Sequence, residues 1–453
     1  MLNYFPYPLH EILARWRIKH VMKLALPIIG GMSSQTLLNL IDTAMVGRLG
    51  AHDVAAVGIT SIALWVIVSP LQGFSSSVQT LTARRLGEKA HTRLHEALIT
   101  GLYLIVLIAF PMTYILYNFI PQIVPFFSGD SAVVHIGIGY MGIRILGIPF
   151  VGMNFAFRGF FNGLHKSSVY LQTLLLMHGT NIALNYVLIF GKFGFPRMES
   201  KGAALASLIA ILLGTCNYLR LLIKHKTPHF RFTPKLITST LLKNLLSLSI
   251  PMSIMGIFLS FGYLVFYRIT AILGTAELAA TNILVNLMLA CFLPALGMGL
   301  ATISLVSKSL GENDPHSAKI WSYSTLMITE TFLSIIGFLF ILFPRFWIQI
   351  FIDDPIVQAL AIVPLVILGF MQFFDPLGII WMHTLMGGGA NKQVMKYTIL
   401  VQWGLFLPGT FLLIQYFSGT LTGLWVLMAL YRFILMGTFL RGFLKEKWLS
   451  QKI

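Results

Sequence analysis

Long runs of apolar residues, separated by short polar breaks, form the main pattern along this chain. Twelve such runs occur, at roughly 24–46, 54–80, 98–119, 132–157, 168–190, 202–223, 245–272, 278–306, 320–344, 356–385, 395–417 and 420–440. A helix needs about 20 apolar residues to cross a bilayer. Transmembrane β-strands would instead alternate apolar and polar residues in segments of about 10 residues. The pattern therefore predicts an all-α polytopic membrane protein with twelve transmembrane helices.

The composition agrees with this prediction and excludes other classes of protein. The chain has 453 residues, of which 57% are hydrophobic and 10% are charged, whereas a soluble domain carries about 25% charged residues. An ordinary soluble enzyme is therefore excluded, and the apolar content also excludes a disordered chain. Both cysteines, Cys216 and Cys291, lie in apolar runs, which favours buried, reduced thiols over a redox or metal site.

Lysine and arginine are distributed unevenly between the two sides of the predicted topology. If the N-terminus is cytoplasmic, the inner side holds most of them, and the outer side holds only Arg48, Lys192, Arg197, Lys201 and Arg345. The positive-inside rule requires this bias, so both termini are predicted to be cytoplasmic. The net charge of +17 then forms a band at the inner leaflet. The predicted partner is the lipid bilayer and not a nucleic acid.

The two halves of the chain match each other without a gap when each residue is paired with the residue 224 positions further along. The matched positions include Pro27 with Pro251, Pro70 with Pro294, Gly73 with Gly297, and Leu86-Gly87-Glu88 with Leu310-Gly311-Glu312. Each half holds six predicted spans, so the halves share one orientation and are related by an axis along the membrane normal. Paired halves of this kind are typical of secondary transporters. The alternative is a duplicated protein that transports nothing, such as a scaffold or assembly factor.

Five segments follow from these patterns. They are an amphipathic cytoplasmic segment over 1–23, a first six-helix lobe over 24–223, a cytoplasmic linker over 224–243, a second six-helix lobe over 244–440, and a basic cytoplasmic tail over 441–453. The linker is placed at the longest polar stretch of the chain. The first segment is expected to lie at the membrane interface because apolar and basic residues alternate along it.

A polar stripe on the first span is the strongest candidate for function. Gln35, Asn39 and Asp42 are spaced by four and three residues, so they share one face of the helix. An ionisable group inside the bilayer costs several kcal/mol and marks a functional site by default. On the fifth span, His178, Asn181 and Asn185 also share one face. A purely structural hydrogen-bond network is the alternative interpretation for the first-span stripe.

Other charged residues also fall within the predicted spans. Asp375 could bind cations or relay protons, or it could form a structural pair, whereas Glu330 is expected to pair with a buried arginine. Snorkelling or ion pairing explains the intramembrane arginines, which are Arg144, Arg268 and Arg432. Pro27 removes a backbone hydrogen bond within the first span and permits either a bend or a static kink.

The sequence contains no motif for nucleotide hydrolysis. The chain contains no GxxxxGK[ST] run, so a primary pump is excluded and the energy must come from an ion gradient. No cluster of histidine and carboxylate residues, and no serine and histidine pair, occurs at a spacing that would support an intramembrane enzyme. The protein is therefore predicted not to be an enzyme.

Three motifs occur along the chain: "LALPIIGGMSSQTLLNLIDTAMVGRLGAHDVAAVG" (24–58), "LTARRLGEK" (81–89) with its echo "LVSKSLGEN" (305–313), and "FRGFFNGLHKS" (157–167). Together they resemble the multidrug and toxic compound extrusion (MATE) family. The resemblance covers about 20–445, and the acidic residue of the first span resembles the branch that includes DNA-damage-inducible transporters. The resemblance implies two six-helix lobes around a central cavity in a bacterial inner membrane. It also implies export of organic cations or amphipathic drugs by a monomer without a cofactor, driven by inward H⁺ or Na⁺.

The resemblance also assigns roles to individual residues. Asp42 matches the cation-coupling aspartate of the first span, Asn181 matches an asparagine of the same site, and Ser207 stands where the family has a hydroxyl. Asn185 stands where some members have aspartate, and an amide can bind sodium but cannot take up a proton near neutral pH. The sequence therefore leaves two coupling ions open. One is sodium, bound at Asp42, Asn181 and Asn185, and the other is a proton on Asp42. The full set of ion-coupling candidates is Asp42, Asn181, Asn185, Ser207, Gln35 and Asn39.

A second site and a second function are the alternatives to this interpretation. Asp375 matches a carboxy-lobe aspartate of another branch, but the span-seven glutamate of that branch is missing from residues 257–260. Pro27 matches the position at which the first span is expected to bend. The alternative function is a flippase for a lipid-linked precursor, which is disfavoured because such proteins often have more spans and a strongly cationic cavity. The 20 Met and 35 Phe residues suit a pliable surface for flat amphipathic cations.

Overall fold

A computed structural model describes residues 7–224, 237–417 and 419–451. All regular structure in these ranges is helical. The α-helices are α1 (Leu9–Ile12), α2 (Arg15–Gly47), α3 (Ala51–Val68), α4 (Gln72–Gly87), α5 (Glu96–Phe127), α6 (Ser131–Ile145), α7 (Ile148–Gly163), α8 (Ser167–Phe190), α9 (Glu199–Lys224), α10 (Ser239–Thr270), α11 (Thr275–Gly311), α12 (Pro315–Leu342), α13 (Pro344–Gln349), α14 (Pro355–Met371), α15 (Asp375–Gly387), α16 (Asn391–Val401), α17 (Leu407–Phe417) and α18 (Leu421–Leu444). A π-helical turn over Gln402–Phe406 joins α16 to α17.

The helices account for the twelve predicted spans. Ten helical segments of the described chain are long and apolar enough to cross a membrane. Two further spans are bent pairs, in which α6 and α7 meet at 47° and α14 and α15 meet at 48°. Pro149 and Pro376 lie in the first turn of the second helix of each pair, where a proline cannot donate a backbone hydrogen bond to the preceding helix. The predicted all-α membrane fold is confirmed.

Helix boundaries repeat along the chain at the same spacing that separates Pro27 from Pro251 in the sequence. Arg15 and Ser239 begin α2 and α10, and Ser131 and Pro355 begin the two bent pairs. The helical segments that begin at 51 and 275, and at 167 and 391, follow the same spacing. A spacing shared by the sequence and the helix boundaries is what duplication of a six-span unit produces.

The chain forms two compact units, and the boundaries between them fall inside α2 and α10. The amino-terminal unit is Gly30–Ser249, and the carboxy-terminal unit is Met1–Ile29 with Ile250–Ile453. The boundaries predicted from the sequence lie at 23/24 and 243/244 instead. Helix α2 begins at Arg15 and continues through Pro27 without a break. Most of the predicted linker, residues 225–236, lies outside the described residues.

Close approach of helices in the amino-terminal unit depends on glycine. A Cβ atom at Gly159 of α7 would lie 2.1 Å from the backbone oxygen of Ser75 on α4. A Cβ atom at Gly202 of α9 would lie 2.7 Å from the backbone oxygen of Leu188 on α8. Small residues let membrane helices approach until their backbones touch. The contact between α8 and α9 is important here because these two helices carry most of the candidate site.

Candidate functional site

The polar stripe of the first span lies on the part of α2 that belongs to the amino-terminal unit. Gln35 and Asn39 are exposed and Asp42 is half-buried. The Gln35 side-chain amide donates a hydrogen bond of 3.1 Å to the Asn39 side-chain oxygen. Because Asn39 and Asp42 lie one turn apart, the stripe leads from an exposed surface to a partly buried carboxylate.

The polar stripe of the fifth span meets the first-span stripe at two points. On α8, the exposed fractions of His178, Asn181 and Asn185 are 6%, 2% and 1%. Nδ2 of Asn185 donates a hydrogen bond of 2.7 Å to Oδ1 of Asp42. Nε2 of His178 lies 3.1 Å from Oε1 of Gln35. The two contacts are seven residues apart on each helix, so α2 and α8 pair along two turns through polar side chains.

Asn181 and Ser207 complete the cluster around Asp42. The side-chain amide of Asn181 has two possible orientations. In one, Nδ2 of Asn181 donates to Oγ of Ser207 and Oδ1 accepts from Nδ2 of Asn185, both at 3.0 Å. In the other, Nδ2 of Asn181 donates to Oδ1 of Asp42 at 2.9 Å and Oδ1 accepts from Oγ of Ser207 at 3.0 Å. An ionised carboxylate accepts hydrogen bonds only, so the second orientation suits an ionised Asp42 with nothing bound.

One acceptor atom of this cluster has no hydrogen-bond partner. Oδ1 of Asn185 is buried and unpaired within the described part of the chain. Buried polar atoms almost always have a partner, and an exception calls for an explanation. The oxygen atoms of Asp42, Asn181, Asn185 and Ser207 therefore form a group with one formal negative charge and one unused acceptor. Oxygen atoms of this kind suit a proton or a small hard cation.

Asp42 is not held in an ion pair. No lysine, arginine or histidine nitrogen lies within 4.0 Å of its carboxylate among the residues the structure describes. Arg144, in the last turn of α6, is predicted from the sequence to snorkel or to pair, and no ion pair to it lies within 4.0 Å among the described residues either.

Two charged residues of the carboxy-terminal unit lie beside one narrow pocket. Asp375 is the first residue of α15, and it lines this pocket together with Arg432 and Gln372. Nη2 of Arg432 lies 3.8 Å from Sδ of Met288.

Glu330 does not form the arginine pair that the sequence predicted. Its Oε1 atom accepts a hydrogen bond of 3.3 Å from Ser334 one turn further along α12. Its Oε2 atom is buried without a hydrogen-bond partner, and no ion pair to Glu330 lies within 4.0 Å in the described ranges.

The site has no counterpart at the repeat-related positions. The spacing between the two halves relates Asp42 to Phe266, Asn185 to Gly409 and Arg144 to Leu368. Within the duplicated fold, the polar cluster is therefore a feature of one half only. Helix positions were duplicated, but the intramembrane charges differ between the two halves.

Comparison with known proteins identifies the family. The MatE family model matches residues 27–187 and 251–412, one segment in each half of the chain. The chain therefore belongs to the MatE family, whose members are membrane transporters and not enzymes. The predicted resemblance is confirmed at this level, whereas the branch with DNA-damage-inducible transporters stays a prediction.

Relatives agree with this assignment, and solved structures share the fold. The chain is 28% identical over 422 residues to "Probable multidrug resistance protein NorM" of Thermotoga maritima, covering 90% of this chain and 88% of the relative. It is also 28% identical over 420 residues to "Multidrug resistance protein NorM" of Burkholderia vietnamiensis, covering 89% and 88%. An outward-facing structure of a multidrug resistance MATE transporter matches with a TM-score of 0.87 at 20% identity, covering 96% and 97%. A MOP superfamily transporter of Pyrococcus furiosus matches with the same TM-score, identity and coverage.

Proposed function

We propose that this chain is a multidrug efflux transporter that exports organic cations or amphipathic drugs in exchange for inward H⁺ or Na⁺. One observation carries the proposal: the half-buried carboxylate of Asp42 is held at 2.7 Å by Asn185 and has no ion pair within 4.0 Å among the described residues. Membership of the MatE family and the names of the NorM relatives support the class of substrate. The ion gradient supplies the energy, and no cofactor is part of the proposal.

The coupling ion binds at Asp42, Asn181, Asn185 and Ser207. When Oδ1 of Asn181 faces Asp42, two oxygen atoms lie 2.9 Å apart. Two acceptor oxygens at this distance repel each other unless a proton or a cation lies between them. Binding of H⁺ or Na⁺ therefore favours this orientation of the amide, and release of the ion favours the orientation in which Asn181 donates to Asp42. Asn185 supplies one further oxygen atom without a partner.

Gln35 and Asn39 form the approach to the ion site. Both are exposed, they are hydrogen-bonded to each other at 3.1 Å, and they lie on the same face of α2 as Asp42. His178 is hydrogen-bonded to Gln35 and marks the other wall of this approach. An ion that leaves bulk water can exchange its hydration for these polar groups before it reaches the carboxylate.

Coupling requires that the ion binds with different affinity in two conformations of the carrier. Pro27 is the proposed point at which α2 bends between them, because it removes one backbone hydrogen bond from the helix. Residues 35–42 lie beyond this point on the same helix, so a bend at Pro27 would move the polar stripe. Asp375 is a secondary candidate for cation binding in the carboxy-terminal unit, beside Arg432 and Gln372.

The proposed location is the inner membrane of a bacterial cell. The family and the bacterial relatives support a multi-pass membrane protein. The distribution of lysine and arginine supports cytoplasmic termini. We propose that the transporter acts as a monomer, since each member of the ion site comes from one unit of one chain.

Transport by purified protein in proteoliposomes tests the proposal. Proton and sodium gradients are imposed separately, and efflux of a fluorescent organic cation is followed for the wild type, Asp42→Asn and Asp53→Asn. Asp53 lies in the first turn of α3, outside the site, and serves as the matched control. The expected result is ion-driven efflux by the wild type and Asp53→Asn, and no ion-driven efflux by Asp42→Asn.

Two results would contradict this proposal. Normal ion-driven export by folded Asp42→Asn protein would remove Asp42 from the coupling mechanism. Translocation of a lipid pyrophosphate without any efflux of cations would instead favour the lipid-linked precursor flippase.

A further inference from the structure

A π-helical turn interrupts the eleventh span, in the carboxy-terminal unit. It covers Gln402–Phe406, between α16 and α17, and Pro408 follows as the second residue of α17. A π turn is rare and frequently lies at a functional site. The chain is exposed here at Gly404, Leu405 and Pro408. The repeat-related span, α8, is α-helical throughout, so the π turn is a feature of one half of the chain only.

The π turn brings two consecutive side chains onto the same neighbouring helix, α10. Nε1 of Trp403 donates a hydrogen bond of 3.1 Å to the backbone oxygen of Phe258, and the two rings meet edge-to-face with their centroids 5.5 Å apart. Gln402 faces Gly262 so closely that a Cβ atom there would lie 2.1 Å from Nε2 of Gln402. Because hydrogen bonds in a π turn span five residues instead of four, successive side chains diverge less than in an α-helix. Gln402 and Trp403 can therefore contact α10 together.

An acceptor atom at this turn has no hydrogen-bond partner. Oε1 of Gln402 is buried and unpaired in the described part of the chain, and the residue is 4% exposed. A buried acceptor of this kind costs free energy until a donor binds to it, and it calls for an explanation. Phe258 is 37% exposed and Trp403 is half-buried. An unused acceptor thus lies beside two accessible aromatic rings.

The internal repeat relates this turn to the ion site of the amino-terminal unit. The spacing of the repeat relates Gln402 to His178, which lines the approach to the ion site. It also relates Phe266 to Asp42. Phe266 packs against Phe406 of the π turn, with ring centroids 5.4 Å apart. Where one half has a carboxylate and amides, the other half therefore has aromatic rings and the amide of Gln402.

We propose that Trp403, Phe258 and Gln402 form a binding site for the transported substrate, and that this site takes flat aromatic cations that carry an N–H donor. The inference rests on the proposed function and deepens it, because it names a class of substrate. The rings of Trp403 and Phe258 attract a cation through their faces. Oε1 of Gln402 accepts the hydrogen bond from the substrate. This atom is closed off in the structure, so the donor reaches it when the Trp403 indole leaves the Phe258 oxygen and moves aside.

The rings and the amide contribute differently to recognition. The aromatic rings attract any flat cation, so they provide affinity with little selectivity. A buried acceptor selects for substrates with a donor, because an analogue without the N–H group leaves the acceptor unpaired. The duplicated halves then have separate tasks, in which the amino-terminal unit binds the coupling ion and the carboxy-terminal unit binds the substrate.

Binding of two acridinium dyes to purified protein tests the proposal. 9-Aminoacridinium is a flat aromatic cation with N–H donors, and 10-methylacridinium has the same ring system without them. Dissociation constants are measured by dye fluorescence for the wild type, Trp403→Leu, Gln402→Leu and Trp347→Leu. Trp347→Leu is the matched control, because Trp347 is also half-buried and meets Phe340 edge-to-face at 5.4 Å, but lies on α13.

The expected changes differ between the variants. Trp403→Leu should raise the dissociation constants of both dyes about tenfold. Gln402→Leu should raise that of 9-aminoacridinium about tenfold and leave that of 10-methylacridinium within about threefold of the wild type. Trp347→Leu should bind both dyes as the wild type does. In proteoliposomes, the half-saturating concentration of the coupling ion should be unchanged in all three variants, because none of them alters the ion site.

The two proposals fail in different ways. Unchanged affinity of Trp403→Leu for both dyes overturns the substrate site, and so does a wild type that binds neither dye. Equal effects of Gln402→Leu on the two dyes also overturn it, because the amide would then act through packing alone. The proposed function survives these results if Asp42 is still essential for ion-driven efflux of another organic cation. Normal ion-driven efflux by Asp42→Asn overturns the proposed function itself.

Tryptophan fluorescence covers the case in which the leucine variants do not fold. Trp403→Phe keeps an aromatic ring at the site, and its emission is compared with that of the wild type and Trp347→Phe while 9-aminoacridinium is added. The dye should quench less emission in Trp403→Phe than in the wild type, and Trp347→Phe should match the wild type. Equal quenching in all three proteins overturns the proposal. Quenching of Trp403 by brominated phospholipid but not by the dye also overturns it, because the ring would then face lipid.

Discussion

Asn185 and Asp42 are 143 residues apart in the sequence and are joined by a hydrogen bond of 2.7 Å. The donor is a buried amide and the acceptor is a carboxylate on another membrane span. A hydrogen bond to a charged group is worth about 1.5–3 kcal/mol. The bond therefore fixes the carboxylate against α8 and leaves the amide oxygen of Asn185 for a further ligand.

Replacement of Asn185 by leucine is expected to weaken ion binding. The variant loses the donor to Asp42 and the unpaired oxygen, so the half-saturating ion concentration for efflux should rise about tenfold or more. Asn217→Leu is the matched control, because Asn217 donates to Thr173 at 3.0 Å between α9 and α8, outside the site. Equal ion dependence in Asn185→Leu and Asn217→Leu would contradict the role of Asn185.

Replacement of Gly159 by alanine is expected to destabilise the amino-terminal unit. The new Cβ atom would lie 2.1 Å from the Ser75 backbone oxygen, so α4 and α7 must move apart. Overpacking of this kind costs about 1–3 kcal/mol or more. Thermal unfolding in detergent should show a lower midpoint. Gly58→Ala, where nothing lies within 4 Å, is expected to leave the midpoint unchanged or slightly higher.

Replacement of Arg17 by alanine is expected to loosen the start of α2. The Arg17 side chain is 6% exposed, and its guanidinium lies 4.5 Å from the ring of Trp16 and 4.6 Å from the ring of Trp321. Two cation–π contacts at a desolvated position contribute about 1–3 kcal/mol. The unfolding midpoint of Arg17→Ala should fall below that of Arg15→Ala, whose side chain is exposed. Identical midpoints would show that the stacked arginine adds no stability.

Replacement of Asp314 by alanine is expected to weaken the start of α12 in a pH-dependent way. Partial burial raises the pKa of Asp314, but hydrogen bonds from the backbone and side chain of Ser317, together with the neighbouring His316, lower the pKa below its ordinary value. The backbone bond is 2.9 Å long and caps the helix. Loss of an N-cap costs about 1 kcal/mol.

The sign of this pH dependence follows from the lowered pKa. The carboxylate stabilises the folded state fully above the ordinary pKa of about 3.9, and the contribution is lost as the pH falls through the folded value. The stability difference between wild type and Asp314→Ala should therefore be full at pH 7 and should shrink as the pH falls below about 3.9. Asp353→Ala, an exposed aspartate, serves as the control. A constant difference between pH 7 and pH 3 would contradict an ionic cap.

The membrane spans, the internal repeat and the polar faces of the helices could be predicted from the sequence, because each can be read from the residues along the chain without knowledge of how the helices pack. A run of apolar residues predicts a helix in a bilayer wherever it occurs. The constant spacing between the two halves of the sequence reappears in the structure, where helices start at Arg15 and Ser239. The spacing of Asp42, Asn181 and Asn185 placed each on a polar face, and the family resemblance brought them together with Ser207. The structure places these four residues in one hydrogen-bonded cluster.

The contacts that a side chain makes after the helices pack could not be predicted in the same way. Glu330 was expected to pair with an arginine, yet its hydrogen-bond partner is Ser334. The contact of the bend in the fourth span with Leu208 and Ile211 of α9 is likewise not encoded in residue spacing along one helix.

The sequence by itself determined how many helices cross the membrane, how they repeat and which face of each is polar, because bilayer burial acts on every residue independently of its distant neighbours. Only the tertiary structure decided which polar faces meet and where α2 and α10 pass from one unit to the other. These features depend on the bend angles and close contacts of packed helices, and residues far apart in the chain set them jointly.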